Sequence, residues 1–337
     1  MGKGKAYLLV IFVFLAACQA ERSVNPPWEP EPADLPGTWQ RMTDMPAVAQ
    51  ENSATEMDGK LYLSGGLKNN DFTDFVKKIY QYDPVTDGWT ACADFDKEIH
   101  HNASAAVDGV LYIIGGYSGP YPGGEMVAEV YALDSVTGEW QQKAPLPRAI
   151  AAATAVTYRD EIYLFGGTYL FNSGEYNPEV LKYSPARDQW EKVGSFARTR
   201  EHFTAVVLGG KIYLVGGRKY EGGFSTFPYL DTYDPATNTW EQLTDIPVAT
   251  SASLVAAWKG RIYTFGGEFA KGTASFSMLN KSFAYSPASG EWREVEHLRI
   301  HGTMAVTLGP GIYVAGGGDT AGVVNALAST WKFTLND

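Results

Sequence analysis

Residues 211–243 have the sequence KIYLVGGRKYEGGFSTFPYLDTYDPATNTWEQL, in which an apolar run ends in a Gly-Gly pair and is followed by spaced aromatic residues. Such pairs recur along the chain at intervals of 50 or 51 residues. A Tyr lies three residues before each pair, and in five repeats a Trp follows the downstream Tyr or Leu by seven residues. The pairs are at 65–66, 115–116, 166–167, 216–217, 266–267 and 316–317. Self-similarity at a fixed period indicates one supersecondary unit that is repeated six times.

Each repeat is predicted to contain four β-strands. A strand of small residues such as AAATAV (151–156) comes first, and a short turn leads to the apolar strand that ends in Gly-Gly. A variable loop, a strand with the downstream aromatic residue, a turn such as Asp234-Pro235 and the Trp strand follow. Asp-Pro favours a tight turn, because Pro fixes φ and Asp can hydrogen-bond to the backbone ahead of it. No stretch of the sequence has a sustained helical period, so an all-β chain is predicted.

The spaced Gly-Gly, Tyr and Trp residues over 38–337 resemble the kelch repeat. The resemblance implies a six-bladed kelch-type β-propeller, with one four-stranded sheet per blade. The sixth repeat lacks a Trp strand after Phe333, whereas Trp39 lies 50 residues before Trp89. We therefore expect an N-terminal strand that begins at Trp39 to complete the last blade and close the ring.

Residues 1–17 are predicted to be a lipoprotein signal peptide. Lys3 and Lys5 precede an apolar stretch of 12 residues, which is shorter than the roughly 20 residues that span a bilayer. The stretch ends in Leu-Ala-Ala-Cys18, which resembles the bacterial lipobox and implies that Cys18 is lipidated. Residues 18–37 are rich in proline and are expected to form an extended tether. These features predict a lipid-anchored protein of the cell envelope, and Gln19 favours the outer membrane by the same resemblance.

The charge limits the partners of the protein. The formal net charge is -11, and removal of residues 1–17, which contain two Lys and no acid, gives -11 - 2 = -13. Nucleic acid is therefore not expected as a partner, because phosphate binding needs a basic surface. We expect a monomer that binds a small polar or anionic ligand or a partner protein.

The loops that lead into each first strand and the loops that leave each Gly-Gly pair are expected to share one face of the propeller. Loops on a rigid scaffold often carry function, so this face is the predicted binding surface. In the fourth repeat, Arg200 and Arg218 are predicted to form a fork for a carboxylate, with Glu201, His202 or Glu268 able to move protons. The alternative is that these residues lie in solvent-exposed loops, where the Arg and Glu side chains only form ion pairs with one another. The candidate ligand-binding residues are Arg200, Glu201, His202, Arg218, Glu268, His101, His301, Tyr117 and Tyr169.

Three imidazoles on alternate repeats raise the question of a metal site. His101 and His202 lie 14 residues before their Gly-Gly pairs, and His301 lies 15 residues before its own. A wide axial channel and this one-residue offset argue against convergence, and no compact ligand motif is present. The sequence therefore predicts neither a metal nor another cofactor.

Two functions from different classes remain open. The first is a membrane-tethered kelch-repeat binding or scaffold protein that presents one loop face to a glycan, peptide or protein. The second is an enzyme, because exported bacterial kelch propellers include sialic acid epimerases, which catalyse mutarotation of sugars such as N-acetylneuraminate. That family carries a long insertion between blade strands, for which repeats of about 50 residues leave no room. The sequence therefore favours the binding protein.

Overall fold

The structure, a computed structural model, describes residues 37–70, 72–273 and 275–336. These residues form β-strands, turns and loops, and they contain no helix. No membrane-crossing helix is therefore found in this part of the chain. The predicted signal peptide, Cys18 and nearly all of the predicted tether lie outside the described residues.

Within the described residues, six antiparallel sheets form the blades, which are numbered 1 to 6 in the order of the Gly-Gly pairs; five have four strands, and that of blade 2 has a short fifth strand. Blade 1 consists of β2 (Ser53–Met57), β3 (Lys60–Ser64), β4 (Lys78–Asp83) and β5 (Gly88–Asp94), after β1 (Gly37–Met42). Blade 2 consists of β7 (Ala103–Val107), β8 (Val110–Ser118), β9 (Glu125–Asp134) and β10 (Trp140–Lys143), with the short β6 (Ile99–His100) beside β8. Blade 3 consists of β11 (Thr154–Tyr158), β12 (Glu161–Phe165), β15 (Glu179–Ser184) and β16 (Gln189–Ser195).

Blades 4 to 6 repeat this arrangement. Blade 4 consists of β17 (Thr204–Leu208), β18 (Lys211–Val215), β21 (Leu230–Asp234) and β22 (Thr239–Gln242). Blade 5 consists of β23 (Leu254–Trp258), β24 (Arg261–Phe265), β28 (Ser282–Ser286) and β29 (Glu291–Val295). Blade 6 consists of β30 (Ala305–Leu308), β31 (Gly311–Ala315), β32 (Thr330–Leu335) and β1. Short strands in the loops after Gly-Gly are β13 (Thr168–Leu170), β14 (Glu175–Tyr176), β19 (Arg218–Tyr220), β20 (Phe224–Thr226), β25 (Glu268–Phe269), β26 (Lys271–Thr273) and β27 (Ser277–Met278).

The hydrophobic core lies between the blades. The described residues form six buried clusters, and each cluster joins two neighbouring blades, including blade 6 with blade 1. The innermost strands contact one another in the cyclic order β2, β7, β11, β17, β23, β30 and back to β2. Burial of apolar surface on every side of each blade therefore closes the ring, and the predicted all-β propeller is confirmed.

The two outer strands of a blade are fastened by the aromatic residues that defined the repeat. In blade 4, Tyr233 lies directly opposite Trp240, with ring centroids 4.8 Å apart. The Tyr233 hydroxyl also donates a hydrogen bond to Asn238, which has a left-handed φ of 55° in the intervening turn. Asn tolerates this conformation better than most residues. Tyr82 and Tyr183 donate equivalent bonds to Asp87 and Asp188, so the pair fixes both the strand register and the turn in blades 1, 3 and 4.

The N-terminal strand completes blade 6. β1 pairs antiparallel with β32 over its whole length, and Trp39 is opposite Phe333. The Trp39 indole packs against Phe265 of blade 5, with centroids 4.8 Å apart, and donates a hydrogen bond to the Glu296 carbonyl oxygen at 3.3 Å. Trp89 makes the same type of bond to the Thr43 carbonyl oxygen, at 3.0 Å. Trp39 thus takes the place of the sixth Trp, as the sequence predicts.

Candidate functional site

Six equivalent residues, one before the first strand of each blade, surround the propeller axis. All six have left-handed φ values, between 49° and 65°. Each donates its backbone N–H to the carbonyl oxygen of the equivalent residue one blade earlier, at 2.6 to 3.3 Å, so that the hydrogen bonds form a closed circle. We call this circle the axial ring; its members are Glu51, His101, Ala152, His202, Ala252 and Gly302. The backbone therefore narrows the axial channel at this level, and five of the six members, all except Gly302, carry a side chain beside the axis.

The residue before each member of the axial ring pairs with the first residue after Gly-Gly in the same blade. In blade 4 this pair is Glu201 and Arg218, and in blade 5 it is Ser251 and Glu268. The second glycine permits this approach, because a Cβ at Gly317, which has φ 82°, would lie 2.6 Å from the His301 carbonyl oxygen. Gly-Gly thus brings the two loop sets together on one face, as the sequence predicts.

Arg218 is the centre of a buried polar cluster on this face. Its Nε donates to Glu201 Oε1 at 3.2 Å, and its Nη1 donates to Glu268 Oε2 at 3.1 Å. Its Nη2 lies 3.0 Å from Nε2 of His202. His301 lies on the other side of Glu268, with Nδ1 3.4 Å from Oε1. One guanidinium is therefore shared between two carboxylates and an imidazole.

The electrostatic surroundings keep the two carboxylates ionised. Burial alone would raise the pKa of Glu201, but His202 and Arg218 outweigh it and hold this pKa below its usual range. Glu268 has the same balance: burial raises its pKa, and His301, Arg218 and the Gly322 N–H lower it further than burial raises it. Burial lowers the pKa of His101 well below its usual value, and the nearby His100, His202 and Arg218 add to the effect. His101 is therefore a neutral imidazole at pH 7.

Glu51 joins the two axial imidazoles. Its Oε2 lies 3.3 Å from His101 Nε2 and 3.7 Å from His202 Nε2, and the two imidazole rings are 5.0 Å apart. All three side chains are at most 9% exposed. The prediction that a wide channel and a one-residue offset keep the three imidazoles apart is wrong for His101 and His202, whereas His301 lies beside Glu268 and does not join them. The channel of about 500 Å³ lies beyond the ring, along the innermost strands.

A cavity of about 200 Å³ opens above the axial ring. Its floor includes Glu51, His101, Glu201, Arg218 and Glu268, which are three carboxylates and one guanidinium beside an imidazole. Its walls are aromatic side chains from the loops of blades 1 to 5: Phe72, Tyr121, Phe171, Phe224 and Phe276. A polar, charged floor under aromatic walls is the usual composition of a small-molecule site.

The structure places Arg200 away from this cavity. Its side chain is fully buried, and Nη1 forms an ion pair with Asp231 Oδ2 at 2.9 Å. Phe196 and Phe203 lie against the guanidinium, at 5.0 and 4.9 Å. Burial lowers its pKa to about 10, although Asp231 opposes the shift. The predicted Arg200–Arg218 fork is therefore not formed, because the side chain of Arg200 enters the interior beneath Gly-Gly of its own blade.

The aromatic candidates also differ in position. Tyr117 is buried behind the cavity wall, where its ring is 5.4 Å from that of Phe171. Tyr169 is in β13 and does not line the cavity. The Arg148 guanidinium stacks on the Tyr169 ring at 3.6 Å, and the Tyr169 hydroxyl donates a hydrogen bond to Asn177 Oδ1. Tyr169 instead packs against the core cluster between blades 2 and 3, and Phe171, which follows the β-bulge and the end of β13, takes the wall position. Among the other candidates, Glu201, His202, Arg218, Glu268, His101 and His301 are brought together.

Glu51 is a member of this buried polar group that the sequence analysis did not single out. It lies 14 residues before its Gly-Gly pair, the same distance as His101 and His202. Extending that count to the first repeat would have found it. Phe72, Tyr121, Phe224 and Phe276 lie in loops of unequal length, where the repeat gives no such register.

The comparisons with known proteins agree with this architecture. A family model described as the KLHDC2/KLHL20/DRC7 Kelch-repeats domain matches residues 100–317, and the Kelch motif matches residues 51–95. Beta-scruin of Limulus polyphemus is 28% identical over 139 residues, and Kelch-like protein terF of Aspergillus terreus is 32% identical over 140 residues. Each match covers 40% of this chain, but 15% of beta-scruin and 30% of terF, so the chain spans a minor part of these relatives.

A solved structure shows the same fold. The structure of YjhT superimposes with a TM-score of 0.75 and 17% sequence identity, covering 88% of this chain and 97% of that chain. Identity this low establishes the fold and not the activity. Because a kelch family model spans residues 100–317, more than half of the sequence, the chain belongs to the kelch-repeat family.

Proposed function

We propose that this protein is a binding protein whose cavity above the axial ring takes a small polyhydroxylated ligand, such as a single sugar. The observation that carries the proposal is the combination of aromatic walls with buried, ionised carboxylates in one cavity of about 200 Å³. Aromatic rings stack on the apolar face of a sugar, and carboxylate oxygens accept hydrogen bonds from its hydroxyl groups.

The charge of the floor favours a neutral ligand over an anionic one. Arg218 already bonds to two carboxylates, and Glu51 adds a third, so carboxylates outnumber guanidinium groups three to one. A ligand carboxylate would have to compete with Glu201 and Glu268 for Arg218. Anionic sugars are therefore expected to bind more weakly than neutral sugars of the same size.

A sugar screen with matched variants tests this proposal. Thermal unfolding is followed with neutral sugars and sugar acids for wild type, Phe171→Ala and Leu170→Ala. Phe171 lines the cavity, whereas its neighbour Leu170 is 55% exposed. The proposal expects a stabilising sugar whose effect is lost in Phe171→Ala and retained in Leu170→Ala. If every stabilising sugar acts equally on both variants, the cavity is not the site.

The second candidate is a sugar mutarotase or epimerase acting on a sialic acid such as N-acetylneuraminate. It is favoured by the carboxylates and imidazoles that face one cavity, since mutarotation needs one group to take the anomeric hydroxyl proton and another to protonate the ring oxygen. The C–O ring bond then breaks, and it re-forms after rotation, with no net oxidation. The occupied guanidinium of Arg218 and the buried position of Arg200 count against it. Anomer exchange of N-acetylneuraminate, followed by NMR with and without the protein, separates the two candidates.

We also propose that the protein is exported and anchored by a lipid on Cys18. The support is the sequence of residues 1–18 alone. In a bacterial host, we expect the wild-type protein to incorporate labelled palmitate, and we expect the Cys18→Ala variant not to incorporate it. Labelling that persists in Cys18→Ala would contradict the anchor.

A further inference from the structure

Three side chains of the axial ring converge on one point, and two of them, Glu51 and His101, also lie in the floor of the cavity. The potential ligand atoms of Glu51, His101 and His202 all lie within 4.8 Å of one another. They come from blades 1, 2 and 4, whose equivalent positions carry the same left-handed backbone. Among the described residues, no other group of three His, Cys, Asp or Glu side chains has this arrangement.

We propose that Glu51, His101 and His202 bind a divalent transition-metal ion, with zinc as the best match. Two imidazoles and one carboxylate are ligands that zinc accepts in sites with an open fourth position. Glu51 and His101 also line the cavity, so the open position faces the space above the ring.

The distances are compatible with closure around an ion. Nitrogen and oxygen ligands about 2.0–2.1 Å from a tetrahedral zinc lie roughly 3.3 Å from one another. Glu51 Oε2 and His101 Nε2 are already 3.3 Å apart, and Glu51 Oε2 and His202 Nε2 are 3.7 Å apart. Binding would bring His202 Nε2 about 0.4 Å closer to Glu51 Oε2, and it would also bring together the two imidazoles, whose ligand atoms now lie within 4.8 Å of each other.

The surroundings supply the outer contacts that metal-binding imidazoles need. His202 Nδ1 faces Glu201 Oε1 at 3.4 Å, and a carboxylate in this position orients the ring and makes the opposite nitrogen a better ligand. Glu201 and Glu268 place two further negative charges near the site, which is more than the single positive charge of Arg218 neutralises. The local field therefore favours a cation.

Arg218 is the competitor for the same nitrogen. Its Nη2 lies 3.0 Å from His202 Nε2, the atom that would bind the metal. Metal binding has to break this contact, while the bonds from Nε to Glu201 and from Nη1 to Glu268 hold the guanidinium nearby. The affinity is therefore expected to be lower than that of a site with no competing donor.

Zinc binding to the purified, chelator-treated protein tests the proposal without any sugar. Isothermal titration should show one zinc ion per chain, and Glu51→Gln, His101→Ala and His202→Ala should each weaken binding at least tenfold. His297→Ala is the matched control, since His297 is exposed and outside the ring; its affinity should equal that of wild type. The proposal is overturned if wild type binds no zinc, or if the three variants bind it as well as wild type.

Cobalt gives a readout that does not depend on the variants folding. Addition of Co²⁺ to wild type should produce visible absorption bands of an imidazole-ligated, four- or five-coordinate ion, which equimolar Zn²⁺ then removes. A spectrum of hexaaquo Co²⁺ alone would contradict the site. Because both experiments omit sugars, a failure here leaves the proposed sugar site untouched, and the reverse also holds.

Discussion

The outer aromatic pairs and the axial ring both recur around the propeller with a regular backbone, but the outer positions largely keep the same side chains, with Tyr–Trp in blades 1, 3, 4 and 5, whereas the axial positions do not. In the outer strands the pairs repeat with nearly constant geometry, with ring centroids 5.1 Å apart in blade 1 and 5.0 Å apart in blade 5. In the axial ring the φ values are nearly constant, but the side chains range from glycine to glutamate. The repeat therefore fixes where a side chain is placed, and departures from the repeat decide which chemistry is placed there.

The axial ring is itself divided. Blades 1, 2 and 4 contribute Glu51, His101 and His202, whereas blades 3, 5 and 6 contribute Ala152, Ala252 and Gly302. The small residues leave the space into which the large ones turn, and this is why His101 and His202 come within 5.0 Å although blade 3 lies between them. A polar site on the propeller axis therefore needs large polar side chains at some axial positions and small residues at the others.

Removal of β1 should have the largest effect on stability. Deletion of residues 37–42 takes away the strand that pairs with β32 and exposes Phe333, which is fully buried. The loss should exceed about 5 kcal/mol, beyond the range of ordinary single substitutions. Thermal or denaturant unfolding measures it, with Val85→Ser, at a 91% exposed position, as the control. Equal melting of the deletion variant and wild type would show that β1 does not close the ring.

Loss of the Arg200–Asp231 ion pair should cause the next largest loss of stability. Arg200→Met leaves Asp231 with only the partly exposed Arg198, so we expect a cost of about 3 kcal/mol. Arg187→Met removes an exposed ion pair with Glu191 and should cost less than about 1 kcal/mol. Urea unfolding of both variants gives the comparison. If Arg200→Met is as stable as Arg187→Met, the buried pair does not stabilise blade 4.

The sequence could predict the fold because its main determinants recur with a period. The recurring Gly-Gly, Tyr and Trp residues predict the strands, the blades and the face on which both sets of loops lie. The spacing of Trp39 from Trp89 predicts that an N-terminal strand completes blade 6. The same spacing also predicts that Glu201, His202 and Arg218 lie on one face of the propeller, where the structure has them in contact.

The site was predicted only in part, because side-chain direction and burial are not periodic. Arg200 is one residue before Glu201, yet its side chain enters the interior, because Asp231 of the third strand of the blade offers it a buried partner. Tyr169 and Phe171 are two residues apart, but the bulge in β13 and the end of that strand separate their directions. These outcomes depend on contacts between distant residues, which a repeat pattern does not contain.

Substitution of the second glycine in a pair should have an intermediate effect. An added Cβ at Gly317 would lie 2.5 Å from Ile300 Cγ2 and 2.6 Å from the His301 carbonyl oxygen, whereas one at Gly59 would meet nothing within 4 Å. Both glycines have positive φ, 82° and 76°. Gly317→Ala should therefore be less stable than Gly59→Ala by about 1–3 kcal/mol, the usual cost of overpacking. Equal losses in the two variants would indicate that the close approach of the loops is not required.

The triple variant Glu51→Ala, His101→Ala, His202→Ala should have the smallest effect on stability, and it tests the central claim most directly. It gives blades 1, 2 and 4 the small axial side chains that blades 3 and 5 already have. If the repeat fixes the backbone and the departures fix the chemistry, the variant should unfold cooperatively with a loss below about 2 kcal/mol, and it should bind no zinc in the titration that detects one ion per chain in wild type. A variant that fails to fold, or one that binds zinc as wild type does, would contradict the account.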